Sequence, residues 1–295
     1  MKKFILLLWT ILCFSINAQA EIDPAQAYAV ALKGTPSDLK KLLHAGYDVN
    51  RPHKCNTLLT AAIKSGAEEP VLPETPDDTL RKITLLLNAG ADVNFTPCPE
   101  SGMLPLSWAI ALPLLIEEQE KEAISAFENQ VTETADYCDY QVVTPKPCRY
   151  LTEEEQQKIK NHIHEQFALQ QQKLKPLHMR IIKLLLKRGA IVDKSDLSAQ
   201  TPLLYASALP GNYALETVQY LLSKGASTNT INAENQTPLF FAHVRNHPEV
   251  VNLLMEYGAD PTVQDSRGFL FNQSKTATFR TVMSDEDSIL LEILY

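Results

Sequence analysis

The sequence lacks the short motifs that most enzymes and nucleotide-binding proteins carry. It contains no glycine-rich phosphate loop, no G-x-S-x-G turn, no H-E-x-x-H motif and no C-x-x-C pair. Glycine itself is scarce, with 10 residues in 295. His162 and His164 stand two residues apart on a predicted helix, so their side chains point to different sides and cannot share a metal ion. We therefore predict no catalytic activity, no metal site and no cofactor.

The chain starts with a basic pair followed by an apolar run. Residues 1–20 open with Lys2 and Lys3, continue through an apolar run from Phe4 to Phe14, and end in the small-residue sequence Ala18-Gln19-Ala20. This is the pattern of a cleaved secretory signal. No later run is apolar enough to span a bilayer. We predict cleavage after Ala20 and a periplasmic or secreted product.

Basic residues are outnumbered, with 27 lysines and arginines against 35 acidic residues and a net charge of −8. Removal of residues 1–20 takes away two lysines and no acid, so the remaining chain carries −10. An acidic surface argues against nucleic acid and anionic membranes as partners. Another protein is the predicted partner, and we expect the chain alone to be monomeric.

One pattern is present twice between residues 195 and 262. The sequence TPLLYA at residues 201–206 returns as TPLFFA at residues 237–242, a spacing of 36 residues. The sequence VQYLLSKGA at residues 218–226 returns as VVNLLMEYGA at residues 250–259, and the two glycines lie 33 residues apart. Repetition at this period predicts an array of small helical units.

Each part of the pattern has a physical function in a helix–turn–helix unit. Thr201 and Thr237 are placed to cap a first helix, and the proline that follows each suits the first helical position. The second segment places apolar residues three and four apart, which predicts a second helix with an apolar stripe. Gly225 and Gly258 then supply the left-handed residue that ends it. One unit cannot cover its own apolar faces, so the units must stack.

The sequence pattern T-P-L-x-x-A followed by L-L-x-x-G-A-D resembles that of the ankyrin repeat. The resemblance implies an all-α fold, a single solenoid domain over residues 21–295 that binds another protein. The predicted parts are units at residues 24–50, 51–94, 95–194, 195–229 and 230–262, and a C-terminal cap at residues 263–295. We expect residues 289–294 of the cap to form a helix.

The third unit is much longer than the others, because Gly90 and Gly189 lie 99 residues apart, three times the 33-residue period. Apolar residues inside the added segment, about residues 114–176, keep helical spacing. We predict that both helices of this unit extend outward as an antiparallel hairpin, kinked at Pro113 and Pro176. Its tip would be Cys138 to Cys148. A disordered insertion, favoured by Gln170–Gln172, is the alternative.

Four cysteines remain after the predicted cleavage, an even number that favours disulfides in an exported protein. Of the three ways to pair them, we predict Cys55–Cys98, between finger loops of adjacent ankyrin-like units, and Cys138–Cys148 at the hairpin tip. Zinc binding by the same four residues is the alternative, but the spacing lacks the usual close pair.

The ankyrin resemblance implies that a partner contacts the finger loops, which join one unit to the next, and the exposed face of the first helices. The outward finger positions are His53, Lys54, Glu100, Ser101, Met103, Leu197, Ser198, Gln200, Ala233, Glu234, Gln236, Ser266 and Arg267. Met103 and Leu197 are apolar and would mark an interface. Ala199 and Asn235 replace the glycine of the family's finger.

These observations favour an exported, non-catalytic protein-binding scaffold. By analogy with the fold family, it would be an immunity protein that neutralises a secreted toxin. A structural or envelope-stress accessory protein is one alternative. The other is an enzyme with an acidic site in the inserted hairpin, where Glu117, Glu118, Glu120 and Glu153–Glu155 are concentrated.

Overall fold

The computed structural model describes residues 22–67, 76–97, 102–140, 151–196, 198–271, 278–283 and 289–294. These ranges hold ten helices and two strands. They are α1 (Pro24–Lys33), α2 (Pro36–His44), α3 (Leu58–Lys64), α4 (Pro76–Asn88), α5 (Pro105–Tyr140), α6 (Glu153–Lys187), α7 (Pro202–Ser207), α8 (Gly211–Ser223), α9 (Pro238–Val244), α10 (Pro248–Glu256), β1 (Thr278–Met283) and β2 (Ile289–Leu294). The predicted secretory signal lies outside the described residues.

The helices pair into five successive helix–turn–helix units, each with a first and a second helix. The first helices α1, α3, α5, α7 and α9 pack in one row, each against the next. Behind them α2, α4 and α6 form a second row, and α8 packs against α10. This two-layer stack confirms the predicted all-α solenoid.

Helix ends follow the predicted chemistry. The side chain of Thr201 accepts a hydrogen bond from the Leu204 amide at 3.4 Å, and Thr237 accepts one from the Phe240 amide at 3.3 Å. Both bonds satisfy an amide that has no partner within the first helical turn. At the other end of each unit, the glycine after the second helix has a positive φ, for example 87° at Gly225.

Small residues set the spacing of the first helices. Four of these helices carry an alanine at the same place, five residues after the helix cap, and all four alanines are fully buried: Ala62, Ala109, Ala206 and Ala242. A methyl side chain at a helix contact lets the backbones approach closely, so larger residues elsewhere fill the remaining space. The apolar core is therefore continuous along the stack.

Asparagine side chains tie adjacent units together. Asn50 donates to the Gly90 carbonyl at 3.0 Å and accepts from the Asp92 amide at 2.8 Å. Two further asparagines, each four residues after a unit-ending glycine, make the same pair of bonds to the next unit: Asn94 and Asn229. We call this pair of bonds the asparagine bracket.

The third unit extends as predicted. Helices α5 and α6 contain 36 and 35 residues and pack against each other as an antiparallel hairpin that leaves the stack. Helices of this length measure about 50 Å. We call their outer parts, residues 117–140 and 151–173, the arm. The disordered alternative is wrong for these residues, whereas residues 141–150 of the predicted tip lie outside the described part.

Pro113 interrupts the hydrogen bonding of α5, and two side chains of α6 bond to α5 carbonyls close to it. A proline has no N–H and crowds the carbonyls of the preceding turn. His178 of α6 bonds through Nε2 to the carbonyl of Ile110, three residues before the proline, at 3.0 Å, and Gln171 donates to the Pro113 carbonyl at 3.2 Å. Burial lowers the pKa of His178 to about 4. Its imidazole is therefore neutral at pH 7, with its proton on Nε2.

The C-terminal segment differs from the prediction. Residues 289–294 form strand β2 instead of a capping helix, and β2 pairs antiparallel with β1, with Thr278 opposite Leu294 and Met283 opposite Ile289. A six-residue apolar run fits a helix and a buried strand equally well, so periodicity alone does not decide between them. A partner strand 278–283 with β-branched and aromatic residues decides in favour of a sheet. Strand β1 lies against α5.

Candidate functional site

The same hydrogen-bonded turn occurs in three of the finger loops. In each, an Asp or Asn donates its amide to the carbonyl four residues later and accepts the amide of that same residue on its side chain. The distances are 3.0 and 2.9 Å for Asp196, 3.1 and 2.8 Å for Asn232, and 3.0 and 2.9 Å for Asp265. A short polar side chain that closes its own turn fixes the loop without help from a partner.

The residue before the end of each turn is left-handed, with φ of 55° at Ala199, 62° at Asn235 and 84° at Gly268. Ala199 and Asn235 therefore keep the backbone that a glycine would adopt, at a cost of about 1–2 kcal/mol for an alanine. The fingers are also bonded to each other, since Ala233 donates its amide to the Ser198 carbonyl at 3.2 Å and Ser266 donates to Glu234 at 2.9 Å.

Several predicted finger residues lie on the surface. Lys54, Glu234 and Arg267 are exposed and carry charge, and Ala233 and Ser266 beside them are exposed as well. His53 and Ser198 are half-buried, and the His53 ring lies 5.4 Å from the ring of Tyr28 in α1. Contact of these residues with a partner stays a prediction. Glu100, Ser101 and Leu197 lie outside the described residues.

Three other predicted positions are not on the surface. Met103, Gln200 and Gln236 are 3%, 1% and 4% exposed, so the expectation that they point outward is wrong. Each stands two residues before the start of a first helix, where the chain turns into the stack. Gln236, for example, is held inside its own finger, where its Oε1 accepts from Asn232 Nδ2 at 2.9 Å. Met103 belongs to the apolar core.

Four of the five first helices, α3, α5, α7 and α9, are also buried within the stack, although the resemblance gives them an exposed face. Every residue is buried in four stretches: 56–64, 102–116, 200–209 and 236–242. Successive residues of a helix point in all directions around its axis, so complete burial requires cover on every side. We call the side of the first helices that faces away from the second helices the first-helix face.

The base of the inserted hairpin is braced by units on both sides of it. Arg245, after α9, binds both carboxylate oxygens of Glu117 at 3.0 and 2.9 Å, and Tyr213 of α8 donates to the Gln171 carbonyl at 2.6 Å. Burial raises the pKa of Tyr213 to about 12, which keeps this donor protonated. Burial also raises the pKa of Glu117, but Arg245 and Lys121 lower it more, so the net shift is downward.

The acidic residues of the arm do not converge on one site. Glu117 pairs with Arg245, Glu120 with His164, and Glu128 with Lys160 across the two helices. In the described part of the chain, no group of three or more His, Cys, Asp or Glu residues is arranged to hold a metal ion. Paired and separated carboxylates of this kind give no support to the alternative of an acidic catalytic site.

Cys55 is disulfide-bonded. Its predicted partner, Cys98, lies outside the described residues, and so do Cys148 and the side chain of Cys138. Both pairings therefore stay predictions. Among the described helices, none combines the length and the apolar character that crossing a membrane requires.

The comparison with protein families agrees with this geometry. A family model described as ankyrin repeats, in three copies, matches residues 172–265, from the inner part of α6 to the third of the finger turns above. This match supports an ankyrin-repeat protein. A search of curated proteins found no match. Ankyrin repeats are scaffolds for protein–protein interaction, and this general role applies to the present solenoid.

Sequence reasoning missed the asparagine bracket and the braces of the hairpin. The bracket had a signal, because Asn50, Asn94 and Asn229 each stand four residues after a unit-ending glycine. The braces had none, since Glu117 and Arg245 are 128 residues apart and no local pattern connects them.

Proposed function

We propose that this ankyrin-repeat protein is exported and binds another protein without catalysis, as an immunity protein that neutralises a secreted toxin. The observation that carries the binding role is the row of three finger turns, which repeat one backbone geometry and expose Glu234 and Arg267; Lys54 is exposed on the first finger. A surface fixed before binding loses little conformational entropy on association. The N-terminal sequence supports export, and the toxin partner rests on analogy with the fold family.

The binding role is tested by affinity capture with the chain from Glu21 onward as bait. The bait is exposed separately to two extracts: the periplasm of the producing cells, and the secreted protein of competitor bacteria. We expect one stoichiometric partner that is lost in the double variant Glu234→Lys with Arg267→Glu. This exchange preserves net charge but reverses the sign at two neighbouring fingers, which disfavours a complementary surface.

The matched control is Glu154→Lys with Lys158→Glu on the arm. These side chains form an exposed pair, 80% and 70% accessible, and their exchange also preserves net charge. Loss of the partner in the arm variant alone would move the site to the arm. Absence of any partner in every extract would contradict the binding proposal.

Export and toxin neutralisation need separate measurements. We expect the mature protein to be recovered from the periplasm or the medium with Glu21 as its first residue. The captured partner, produced in the periplasm of a test strain, should stop growth unless the mature protein is co-expressed. A partner that is harmless to the cell would exclude the immunity role and leave the binding scaffold.

A further inference from the structure

The opposite side of the stack from the first-helix face, which we call the second-helix face, carries opposite charges at its two ends. In all five second helices, the residues nine, six and two positions before the unit-ending glycine are at least partly exposed. In the first three units these positions hold five lysines and arginines and no acid: Lys40, Arg81, Arg180, Lys183 and Lys187. In the last two units they hold three acids and no lysine or arginine: Glu216, Glu249 and Glu256. The repeat therefore places opposite charges at equivalent positions of a basic half and an acidic half.

The two halves belong to one continuous surface. Helices α2, α4 and α6 pack side by side in the basic half, and α8 packs on α10 in the acidic half. Two side-chain contacts join α6 to α8. Lys183 Nζ lies 5.4 Å from the centre of the Tyr220 ring, and the Thr217 hydroxyl donates to the sulfur of Met179 at 3.7 Å. A partner of sufficient size would therefore contact both charges at once.

The charges of this face are available to a partner. Within the described part of the chain, neither its three lysines nor its three glutamates form an ion pair. Arg81 pairs with Asp78 and Arg180 pairs with Asp77, but the two arginine side chains are 68% and 55% exposed. A guanidinium group has five N–H donors, so each arginine can bind a second carboxylate without losing the first.

The two halves also differ in shape. A cleft of about 600 Å³ lies between α2 and α4 in the basic half, and Pro36, Leu80 and Leu85 are among its lining residues. The acidic half instead exposes two large apolar side chains, Leu215 and Met255, with exposed fractions of 42% and 41%. Apolar side chains on a charged surface are typical of an interface when a complementary recess exists to receive them. The basic half supplies such a recess.

We propose that the second-helix face binds a second copy of this chain in a two-fold symmetric dimer. A two-fold axis between the third and fourth units sets the basic half of each copy against the acidic half of the other, so every favourable contact occurs twice. Helices α4, α6, α8 and α10, about 10 Å apart and about 15 Å long, offer roughly 600 Å² per copy, which is enough for a small specific interface.

The dimer differs from the monomer that the sequence predicts, because the charge pattern appears only when the five second helices are aligned by their glycines. The finger turns precede the first helices and are not part of the second-helix face. Both copies therefore keep their fingers exposed, and the dimer does not depend on the proposed binding function.

Association is tested with the chain from Glu21 onward by sedimentation equilibrium. We expect twice the mass of one chain at a protein concentration of about 1 mM, and dissociation on dilution. The double variant Glu216→Lys with Glu249→Lys should weaken the dimer by about tenfold or more, because like charges then face each other. Arg81→Glu with Arg180→Glu, at the same repeat position in the basic half, should weaken it equally. The mass of a single chain for the unchanged protein at about 1 mM would overturn the proposal.

The two double variants should bind each other, because a face that is basic in both halves then meets one that is acidic in both. We expect their equal mixture to form a dimer at least as tight as that of the unchanged chain. All four substituted side chains are exposed, so both variants should keep native circular dichroism. The control, Glu153→Lys with Glu154→Lys on the arm, changes net charge as the glutamate variant does and should dimerise normally. A mixture that does not associate, or a control that dissociates, would overturn the proposal.

The place of contact is tested by carbodiimide cross-linking of the unchanged protein, which joins a lysine ammonium to a neighbouring carboxylate as an amide. An equal mixture of unlabelled and ¹⁵N-labelled chains distinguishes links between copies from links within one copy. We expect links between copies from Lys183 or Lys187 to Glu216 or Glu249. A dimer that is linked only through the arm or the fingers would overturn the assignment of the second-helix face as its interface.

Discussion

The stack and the arm are built from the same two helices but are held by different forces. In α6 the residues from Leu174 inward include the buried Leu177, Ile181, Ile182 and Leu185, whereas none of residues 151–173 is buried. Two ion pairs cross the arm, Glu120 with His164 and Glu128 with Lys160, and exposed pairs of this kind contribute little to stability. One continuous helix is therefore part of the scaffold at one end and an appendage at the other. The arm is free to vary without loss of the fold.

Two isoleucines of α6 test this difference directly. Ile182 is fully buried in the stack, and Ile163 is half-buried in the arm. We expect Ile182→Ala to lower the free energy of unfolding by about 2–5 kcal/mol, because it leaves a cavity in a close-packed core. Ile163→Ala should cost less than about 1 kcal/mol, since the arm has solvent on one side. Urea unfolding followed by circular dichroism measures both.

The two variants have identical chemistry and occupy one helix, so helix propensity cancels in the comparison. Equal losses would mean that the arm unfolds together with the stack and contributes to its stability. That result would contradict the division of α6 at Leu174.

His178 lies at the border between stack and arm, and its burial predicts that the stability of the fold depends on pH. Its pKa falls from an ordinary 6.5 to about 4 in the folded chain, so between these values the unfolded state binds the proton more strongly. The contribution of His178 to the free energy of unfolding is fully present above pH 6.5. It is lost as the pH falls toward 4, and the total loss is about 3 kcal/mol. His178→Gln keeps an amide donor and cannot titrate, so its stability should depend less steeply on pH.

The measurement is urea unfolding of both proteins at several pH values between 7 and 4. The difference between the two curves isolates His178 from the other titrating groups. Parallel curves would show that His178 has the same pKa in the folded and the unfolded chain, contrary to the effect expected from its burial against Ile110.

Features fixed by local chemistry could be predicted from the sequence. The threonine caps, the unit-ending glycines and the hairpin all follow from residues a few positions apart, and the structure confirms them. The burial of Met103, the position of β1 and the role of His178 depend on segments far away in the chain. A finger position looks the same in sequence whether or not another segment covers it, so the site was predicted less well than the fold.

The Glu117–Arg245 brace at the base of the arm should contribute less to the free energy of unfolding than a core side chain does. It should contribute more than any ion pair on the arm. Glu117 and Arg245 are 21% and 14% exposed and joined by two hydrogen bonds. We expect Glu117→Gln to cost about 2 kcal/mol in urea unfolding at pH 7. Because the folded pKa of Glu117 is lowered, this contribution is present above its ordinary value of 4.5 and is lost as the pH falls further.

Glu154→Gln provides the control on the arm, where the pair with Lys158 is 80% and 70% exposed. Its effect should stay within about 0.5 kcal/mol. A cost at Glu154 as large as that at Glu117 would show that exposure does not separate the two regions.

The smallest predicted effect concerns the one departure from the asparagine bracket, next to the unit that carries the arm. Asp193 takes the position of Asn94 and accepts the Ser227 amide at 3.0 Å, but a carboxylate has no N–H for the Gly225 carbonyl. Asp193→Asn should supply that donor and stabilise the chain by about 0.5–1 kcal/mol. The reverse change, Asn94→Asp, removes the donor to the Gly189 carbonyl, now at 2.8 Å, and should destabilise by a similar amount.

The two exchanges are chemical mirror images on either side of the third unit, which gives the test its power. A bracket that works through its amide donor requires opposite signs in thermal unfolding at pH 7. If both variants lost stability, the carboxylate of Asp193 would be stabilising in its own right. The seam between the third and fourth units would then differ in kind from the others. If the signs are opposite, the insertion has left the stacking chemistry intact, and the arm is an addition to a regular repeat array.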